Sequence, residues 1–305
     1  MRALTMDGFE KVPALRRDLP TPTVGVDELL VRVQASSVNP ADAAIASGML
    51  RGIAEYEFPV TLGRDFVGVV EQTGASVRTY ETSDAVFGFV LHANPAVHDG
   101  SWADYVVIAQ DAVANAPEGV DLAVIGASPV AALTAVAAFD ALEPSALDSV
   151  LVLGATGGVG TFFLQLATAA GADVVAPALP ADREYLAGLG VTEVLDRDAD
   201  VAAQVRERFP DGVDALLDLV SFSPDASVLK EGGRLASSLG AAGEGLGRAN
   251  VGAVGTTANL ERIAKLLEAG SLRVHIQDTY PLERAGEALQ SLGSAHTQGK
   301  LAITI

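Results

Sequence analysis

The sequence predicts a two-domain α/β protein, in which a β-rich first domain is followed by a doubly wound parallel sheet. Up to about residue 120, short apolar runs are separated by Gly, Pro, Asn and Asp, which is typical of strands and turns. From about Asp121 onward, segments with helical spacing alternate with short apolar runs. Such alternation is typical of a parallel sheet with helices on its faces.

The first domain is predicted to contain four strands and a helix. The strands are expected at 28–35, 66–71, 85–90 and 102–108. Asn39 and Pro40 precede small and apolar residues at helical spacing, which predict a helix over 41–48 that ends at Gly48.

The second domain is predicted from eight segments. Helices are expected at 127–142, 159–170, 182–189 and 198–209, and strands at 149–153, 173–176, 214–220 and 233–239. The remaining chain predicts a helix at 257–269, a strand at 273–278, a helix at 281–292 and a strand at 299–305.

A glycine-rich turn joins the first strand of the second domain to the helix that follows it. Glycines stand at 154, 157, 158 and 160. Glycine allows a sharp turn and close approach of a phosphate, and the helix N-terminus presents unpaired N–H groups. A dinucleotide pyrophosphate suits this arrangement. Because the chain has 31 glycines, a plain turn is the alternative.

Composition excludes several classes of function. A net charge of −19 opposes binding to nucleic acids and to anionic membranes. No run of about 18 uninterrupted apolar residues predicts a transmembrane helix. The chain has no cysteine, and its N-terminus lacks the apolar core of a signal peptide, so a cytoplasmic location is expected.

Six motifs occur in the order found in one known family. They are 38–42 (VNPAD), 59–68 (PVTLGRDFVG), 100–105 (GSWADY), 129–135 (PVAALTA), 154–160 (GATGGVG) and 299–300 (GK). The chain resembles the zinc-independent quinone oxidoreductase branch of the medium-chain dehydrogenase/reductase superfamily. The resemblance implies a GroES-like catalytic domain over 1–122 and 256–305, a Rossmann domain over 123–255, and a homodimer.

The resemblance also bears on metal use. Zinc-using members carry a cysteine ligand and a Gly-His-Glu segment in the catalytic domain, whereas this chain has no cysteine and reads LGRDF over 62–66. His92 and His98 lie in one loop beside Asp99, but histidines without thiolate partners are more often solvated. No metal is expected. Hydride transfer without a Lewis acid suits conjugated carbonyls better than simple alcohols.

The end of the second Rossmann strand predicts the choice of nicotinamide cofactor. NAD-specific sites place Asp or Glu there, whereas 175–179 (VAPAL) contains no acid. By resemblance, Arg183 and Arg197 fall where NADPH-using relatives contact the 2′-phosphate. The alternatives are a surface ion pair of Arg183 with Asp182 or Glu184, and a solvated loop charge at Arg197. NADPH is the expected cofactor.

The remaining site predictions concern single residues. The residues expected to contact the cofactor at the glycine turn are Ala155, Thr156, Gly157, Gly158 and Val159. Thr134 resembles the family threonine beside the nicotinamide, and the alternative is a hydroxyl bonded to its own helical turn. Asn39 is expected to position the substrate or the nicotinamide, with a helix cap as the alternative.

The leading functional hypothesis is a metal-free, NADPH-dependent reductase of quinones or α,β-unsaturated carbonyls. Family members often carry Tyr and Arg shortly after the aspartate at position 42, where this chain has Ala44 and Ala46. A roomier and less polar substrate pocket is therefore expected. The same departure motivates the second hypothesis, an NADP(H)-binding redox-sensing or structural protein with little turnover.

Overall fold

A computed structural model describes residues 1–9, 11–52, 54–91, 98–294 and 296–305. The chain divides into two compact units. The first contains Met1–Val130, Gly255–Gly270 and Val274–Ile305, and the second contains Ala131–Val254 and Ser271–Arg273. In the described part of the chain, no helix is long and apolar enough to cross a membrane.

The strands are Ala3–Met6 (β1), Ala14–Arg16 (β2), Glu28–Ser37 (β3), Val60–Thr61 (β4), Asp65–Thr73 (β5), Ala85–Phe89 (β6), Tyr105–Ala109 (β7), Val113–Asn115 (β8), Ser149–Leu153 (β9), Asp173–Ala178 (β10), Glu193–Asp196 (β11), Val213–Asp218 (β12), Leu229–Ser237 (β13), Arg248–Asn250 (β14), Ile276–Pro281 (β15) and Lys300–Thr304 (β16).

The α-helices are Pro40–Ser47 (α1), Leu122–Ala127 (α2), Pro129–Leu142 (α3), Gly158–Ala169 (α4), Arg183–Gly188 (α5), Val201–Arg208 (α6), Thr257–Glu268 (α7) and Ala285–Ser294 (α8).

The first unit is built on two sheets. One has the strand order β15-β16-β3-β5-β6-β8, with β7 paired to β3, and the other has the order β2-β1-β4. Most pairs in the larger sheet are antiparallel, and β15 with β16 is parallel. Two apolar clusters are centred on Trp102 with Leu62, and on Phe66 with Val31. The β-rich character predicted for this part of the chain is confirmed.

The second unit is a parallel sheet of order β11-β10-β9-β12-β13-β14. Its central strands β9 and β12 are buried almost throughout, as expected of strands covered on both faces. The strand order reverses direction at β9, so the turn after β9 lies at the topological switch point, at the carboxyl edge of the sheet. The predicted doubly wound sheet is confirmed.

Several element predictions need correction. The helix predicted over 127–142 is two helices, because Pro129 has no N–H to continue α2 and instead starts α3. The helix predicted over 182–189 is preceded by a 3-10 turn over 180–182. The strand predicted over 273–278 begins only at Ile276. The strand β11 is missing from the prediction, because it is short and two of its four residues are acidic.

The first boundary between the units lies after Val130, whereas the sequence placed it after residue 122. The difference is α2, which belongs to the first unit. A Cβ added at Gly126 would lie 2.8 Å from the carbonyl carbon of Ala35, so this helix is seated closely on β3. The second boundary lies between Val254 and Gly255, one residue from the predicted position.

Candidate functional site

The glycine turn of the second unit connects β9 to α4. Gly154 has a φ of 85°, in the left-handed region that favours glycine. A Cβ added at Gly160 would lie 2.3 Å from Gly154 O and 2.7 Å from the Ala155 Cα. The turn is further closed by a bond from Gly157 N to Gly154 O at 3.2 Å. The turn therefore packs so closely that a side chain at position 160 has no space.

The N-terminus of α4 is suited to an anion. Gly157 is the N-cap residue and supplies no side-chain acceptor for the first N–H groups of the helix. These groups have no partner inside the helix, and the helix dipole adds a partial positive charge there. Residues 155–159, expected to contact the cofactor, form this turn and the start of α4. The cradle fits the pyrophosphate of a dinucleotide.

Two neighbouring strands end beside the glycine turn. Asp218 and Ser237 close β12 and β13, and Asp218 pairs in register with Leu153 and with Ser237. Asp218 is fully buried, and its Oδ1 accepts bonds from Val220 N and Ser221 N, both at 2.9 Å. Asp218 thus shapes the next loop at this edge. The sequence reasoning missed it, although an acidic residue that ends an apolar strand was the available signal.

The position expected to select the cofactor lies at the end of β10. Ala178 closes this strand and pairs with Asp196, the last residue of β11. No acid lies at the end of β10 itself, as predicted, but the neighbouring strand brings an exposed aspartate to the same edge. The Oδ1 of Asp196 accepts a bond from Asp198 N at 2.9 Å, within its own turn.

Arg183 and Arg197 both lie at this edge of the sheet. Arg183 is the exposed first residue of α5, and among the described residues it forms no ion pair with its neighbours. Arg197 follows β11 directly, and its Nε lies 3.6 Å from Asp198 Oδ1. Asp182 is buried and accepts a bond from Leu179 N at 3.1 Å. The contact of Arg183 with the 2′-phosphate stays a prediction.

Thr134 lies on α3 in the second unit and is buried, with 5% of its surface exposed. Its part in cofactor binding stays a prediction.

A buried polar group in the first unit surrounds Asp65, and we call it the Asp65 cluster. Its members come from β3, the start of α1, β5, the segment before β7, and β16, and they are Ser36, Ser37, Asn39, Asp42, Asp65, Ser101 and Lys300. Asp65 is fully buried, and its Oδ1 accepts a bond from Val130 N at 2.8 Å. Its Oδ2 accepts bonds from Ser37 Oγ at 2.6 Å and Asn39 Nδ2 at 2.8 Å.

Asn39 is the N-cap residue of α1, and its side chain also bonds to residues of β5 and β16. Its Oδ1 accepts a bond from Lys300 Nζ at 2.6 Å. Asp42, three residues into the capping box, accepts a bond from Asn39 N through its Oδ2 at 2.7 Å. Asn39 is therefore the N-cap residue of α1, as its alternative role expected, and its positioning role stays a prediction. Sequence reasoning named Asn39 but missed Asp65 and Lys300 as its partners.

Asp42 is a second buried carboxyl group in the cluster. Desolvation raises its pKa to about 7, although the bond from Asn39 N acts in the opposite direction. The neighbouring Asp65 raises the pKa further, while Arg64 and Lys300 lower it. Among the described residues, the Oδ1 of Asp42 has no hydrogen-bond partner.

Two family models match the chain. The alcohol dehydrogenase GroES-like domain matches residues 25–118, and the zinc-binding dehydrogenase model matches residues 189–303. The solved structure of a quinone oxidoreductase from Coxiella burnetii superposes with a TM-score of 0.88, at 28% identity over 100% of this chain and 99% of that chain.

Curated relatives point the same way. The chloroplastic NADPH-dependent alkenal/one oxidoreductase of Arabidopsis thaliana is 28% identical over 97% of this chain and 77% of its own length. A chloroplastic quinone-oxidoreductase homolog from Spinacia oleracea is 35% identical over 56% of this chain and 52% of its own length. The match therefore spans about half the length of the spinach protein.

A GroES-like β-rich unit and a Rossmann-type unit with a glycine turn define a dehydrogenase/reductase of the nicotinamide-dependent kind. The chain belongs to the medium-chain dehydrogenase/reductase superfamily, in its quinone oxidoreductase branch. At this level the relatives support an NAD(P)H-dependent oxidoreductase.

The name of one matching model raises the question of zinc. By resemblance, the Gly-His-Glu segment of zinc-using members corresponds to Gly63, Arg64 and Asp65. Arg64 is a cation whose Nε donates to Val90 O at 3.3 Å, and both oxygens of Asp65 already accept bonds from protein groups. These side chains do not fit a zinc ion, which needs free anionic or neutral donor atoms.

The histidine loop has no metal-ligand set within the described residues. His92 lies outside them, and the Nδ1 of His98 lies 2.8 Å from Glu57 O. Nowhere in the described ranges do three or more His, Cys, Asp or Glu side chains form a group that could hold a metal ion.

Proposed function

We propose that this chain reduces quinones or α,β-unsaturated carbonyls by hydride transfer from NADPH, without a metal ion. The observation that carries the proposal is the uncapped, closely packed glycine turn between β9 and α4 at the switch point of the sheet. The family relationship supports a nicotinamide as the ligand of that turn. When bound, NADPH supplies the hydride.

The preference for NADPH over NADH is supported by charge at the end of β10. Arg183 and Arg197 offer two guanidinium groups at the edge where β10 and β11 end. A guanidinium is well matched to a phosphate, whereas a carboxylate is matched to ribose hydroxyls. Asp196, which pairs with the last residue of β10, accepts a bond within its own turn. The arginines are thus the groups expected to meet the 2′-phosphate.

The preference for conjugated acceptors is supported by the chemistry of the first unit. Asp65 stands where zinc-using members carry the ligand segment. It accepts bonds from Ser37 and Asn39 and pairs with Lys300, so its oxygens are already occupied by protein groups. A conjugated acceptor takes up a hydride at carbon and needs less polarisation of its oxygen than a simple carbonyl does. The names of the relatives from Coxiella burnetii and Arabidopsis thaliana, a quinone oxidoreductase and an alkenal/one oxidoreductase, agree with this class.

The shape of the acceptor site is proposed from α1. Ala44 and Ala46 are half-buried on this helix, so small side chains stand where family members often have Tyr and Arg. Small apolar side chains leave room for a large apolar acceptor and offer no hydrogen bond to it. We therefore expect broad acceptor use with modest affinity.

The alternative function is an NADP(H)-binding redox-sensing or structural protein with little turnover. The same two alanines favour it, because they remove polar groups that could orient an acceptor. Tight NADPH binding without turnover on any acceptor would support this alternative.

A homodimer and a cytoplasmic location are further proposals. The dimer is supported by β14, which lies at the edge of the second unit's sheet, and by the fully exposed Leu246 just before it. The location is supported by the absence of cysteine from the sequence. Light scattering of the purified protein tests the first of these proposals.

The central experiment measures oxidation of NADPH and NADH by the purified protein with a panel of quinones and enones. We expect turnover with several conjugated acceptors, a higher kcat/KM for NADPH, and no loss of activity after treatment with a chelator. Failure to oxidise NADPH with every quinone and enone would refute the proposal. Equal activity with simple ketones would refute the choice of conjugated acceptors.

A further inference from the structure

Lys300 is a buried cation in the first unit. Its side chain is 4% exposed, and its Nζ donates to Asn39 Oδ1 at 2.6 Å and Val38 O at 3.2 Å. The same Nζ lies 3.5 Å from Asp65 Oδ2. Burial lowers the pKa of Lys300, while the carboxylates of Asp65 and Asp42 act against this shift. The ammonium group thus has three oxygen neighbours.

The backbone around Lys300 is also fixed. Lys300 N donates to His275 O at 2.9 Å. Gly299 has a φ of 73°, and a Cβ at this position would lie 2.2 Å from the same His275 oxygen. Only glycine fits this close approach of two chain segments. The ammonium is therefore presented to the Asp65 cluster from a preset backbone.

The charges of Lys300 and Asp65 determine the orientation of the Asn39 amide. An ammonium has only donors and an ionised carboxylate has only acceptors, so the amide oxygen must face Lys300 and the amide nitrogen must face Asp65. The observed bonds have this arrangement, with Oδ1 at 2.6 Å from Lys300 Nζ and Nδ2 at 2.8 Å from Asp65 Oδ2. The reversed amide would place donor against donor and acceptor against acceptor.

We infer that Lys300 is a positioning residue that acts through Asn39, holding its amide in one orientation for hydride transfer. The inference rests on the proposed function, in which Asn39 helps to position the acceptor or the nicotinamide. If Lys300 acts through Asn39, replacing Lys300 should lower kcat only when Asn39 is present. A role of Lys300 in stability alone would not depend on Asn39 in this way.

The test is a double-mutant cycle of Lys300→Met and Asn39→Ala, measured as kcat with NADPH and the best acceptor. We expect each single variant to lose about 100-fold in kcat, the scale of a misplaced positioning group. The double variant should then lose no more than Asn39→Ala alone. Multiplicative losses in the double variant would overturn the inference.

Lys300→Met leaves Asp65 as a buried charge without its cation, so this variant risks unfolding. The variant Lys300→Met with Asp65→Asn removes both charges and keeps the cluster neutral. It should retain the wild-type Tm to within a few degrees and still lose about 100-fold in kcat, because nothing then fixes the amide orientation. Wild-type kcat in this folded variant would also overturn the inference.

Lys230→Met is the matched control. Lys230 forms an ion pair with Asp214 in the second unit, so the control also removes a lysine from a carboxylate. Its kcat should equal that of the wild type. A wild-type protein that reduces no acceptor refutes the proposed function itself, whereas an active wild type with multiplicative losses in the cycle refutes only the role of Lys300.

Discussion

A Cβ added at Gly160 would lie 2.3 Å from the carbonyl oxygen of Gly154. Real Cβ atoms do not come this close to a backbone oxygen, so Gly160→Ala must open the turn between β9 and α4. An opened turn no longer presents its N–H groups together toward a phosphate. We expect the Kd for NADPH to rise by about tenfold or more, measured by fluorescence titration.

Gly188→Ala is the control for this prediction. Gly188 ends α5 in the same unit, and nothing lies within 4 Å of a Cβ added there. Alanine is the better helix former, so this variant should bind NADPH like the wild type. Equal affinity of Gly160→Ala and the wild type would show that the turn does not hold the cofactor.

The second prediction concerns the cofactor preference. Replacing both Arg183 and Arg197 with Ala should remove the preference for NADPH over NADH, because charge-assisted bonds to the 2′-phosphate are lost. Each such bond is worth on the order of tenfold in affinity. The kcat/KM for NADH should change little. Separate measurements of kcat/KM with the two cofactors check this.

Arg206→Ala is the matched control for the arginine pair. Arg206 is exposed in the last turn of α6, and its Nη2 donates to Ser227 Oγ at 2.7 Å. Arg206→Ala also removes one positive charge from the second unit. The charge lies at the end of α6, toward the edge of the sheet opposite to the ends of β10 and β11. An unchanged preference in the double arginine variant would exclude these residues as phosphate ligands.

The sequence predicted the second unit more accurately than the first. The strand at 149–153 has its predicted bounds, and α4 begins one residue before its predicted start. Both follow from local signals, a short apolar run and the glycine turn that ends it. By contrast, β11 forms because it pairs with β10, and its own four residues carry two acids. Pairing of that kind leaves little trace in the local sequence.

The Asp65 cluster was largely hidden from sequence reasoning. Lys300 and Asn39 are in hydrogen-bond contact but are 261 positions apart in the chain. A lysine near the end of a chain is usually solvated, and only the pairing of β16 with β3 brings this one inside. Asn39 was identified because its neighbour Pro40 and the helix signal mark its position. Its partners come from other elements and could not be identified from spacing.

The third prediction concerns Asp42 and pH. Burial raises the pKa of Asp42 from 3.8 to about 7. The folded state therefore holds the proton at pH values where the unfolded state has lost it, and the free energy of unfolding falls as the pH rises between these two values. The fall is at most about 4 kcal/mol, and above the folded pKa it stops.

Asp42→Asn removes this titration and can still accept the bond from Asn39 N through its amide oxygen. As the pH rises from 4 to about 7, the wild type should lose stability through Asp42 and the variant should not. The variant should therefore become more stable relative to the wild type. Urea unfolding at several pH values measures this difference. Asp211→Asn, the same substitution at an exposed position, is the control. A constant difference for Asp42→Asn would contradict the raised pKa.

The last prediction uses the one tryptophan of the chain, Trp102. It is fully buried in the first unit, and its Nε1 donates to Ser37 O at 3.1 Å. A Cβ added at Gly63 would lie 2.2 Å from the indole Cδ1, and Gly63 has a φ of 90°. Gly63→Ala should therefore displace the indole, break its bond to Ser37 and lower the free energy of unfolding by about 2–4 kcal/mol.

Gly119→Ala separates the clash from the backbone strain. Gly119 also has a positive φ, of 71°, but nothing lies within 4 Å of an added Cβ. Gly119→Ala should lower the free energy of unfolding by only about 1 kcal/mol and leave the tryptophan emission unchanged, because the added methyl group strains the backbone without contacting the indole. Gly63→Ala should shift the emission to longer wavelength and unfold at lower temperature than Gly119→Ala. Identical emission and Tm in the two variants would show that Gly63 is not packed against Trp102.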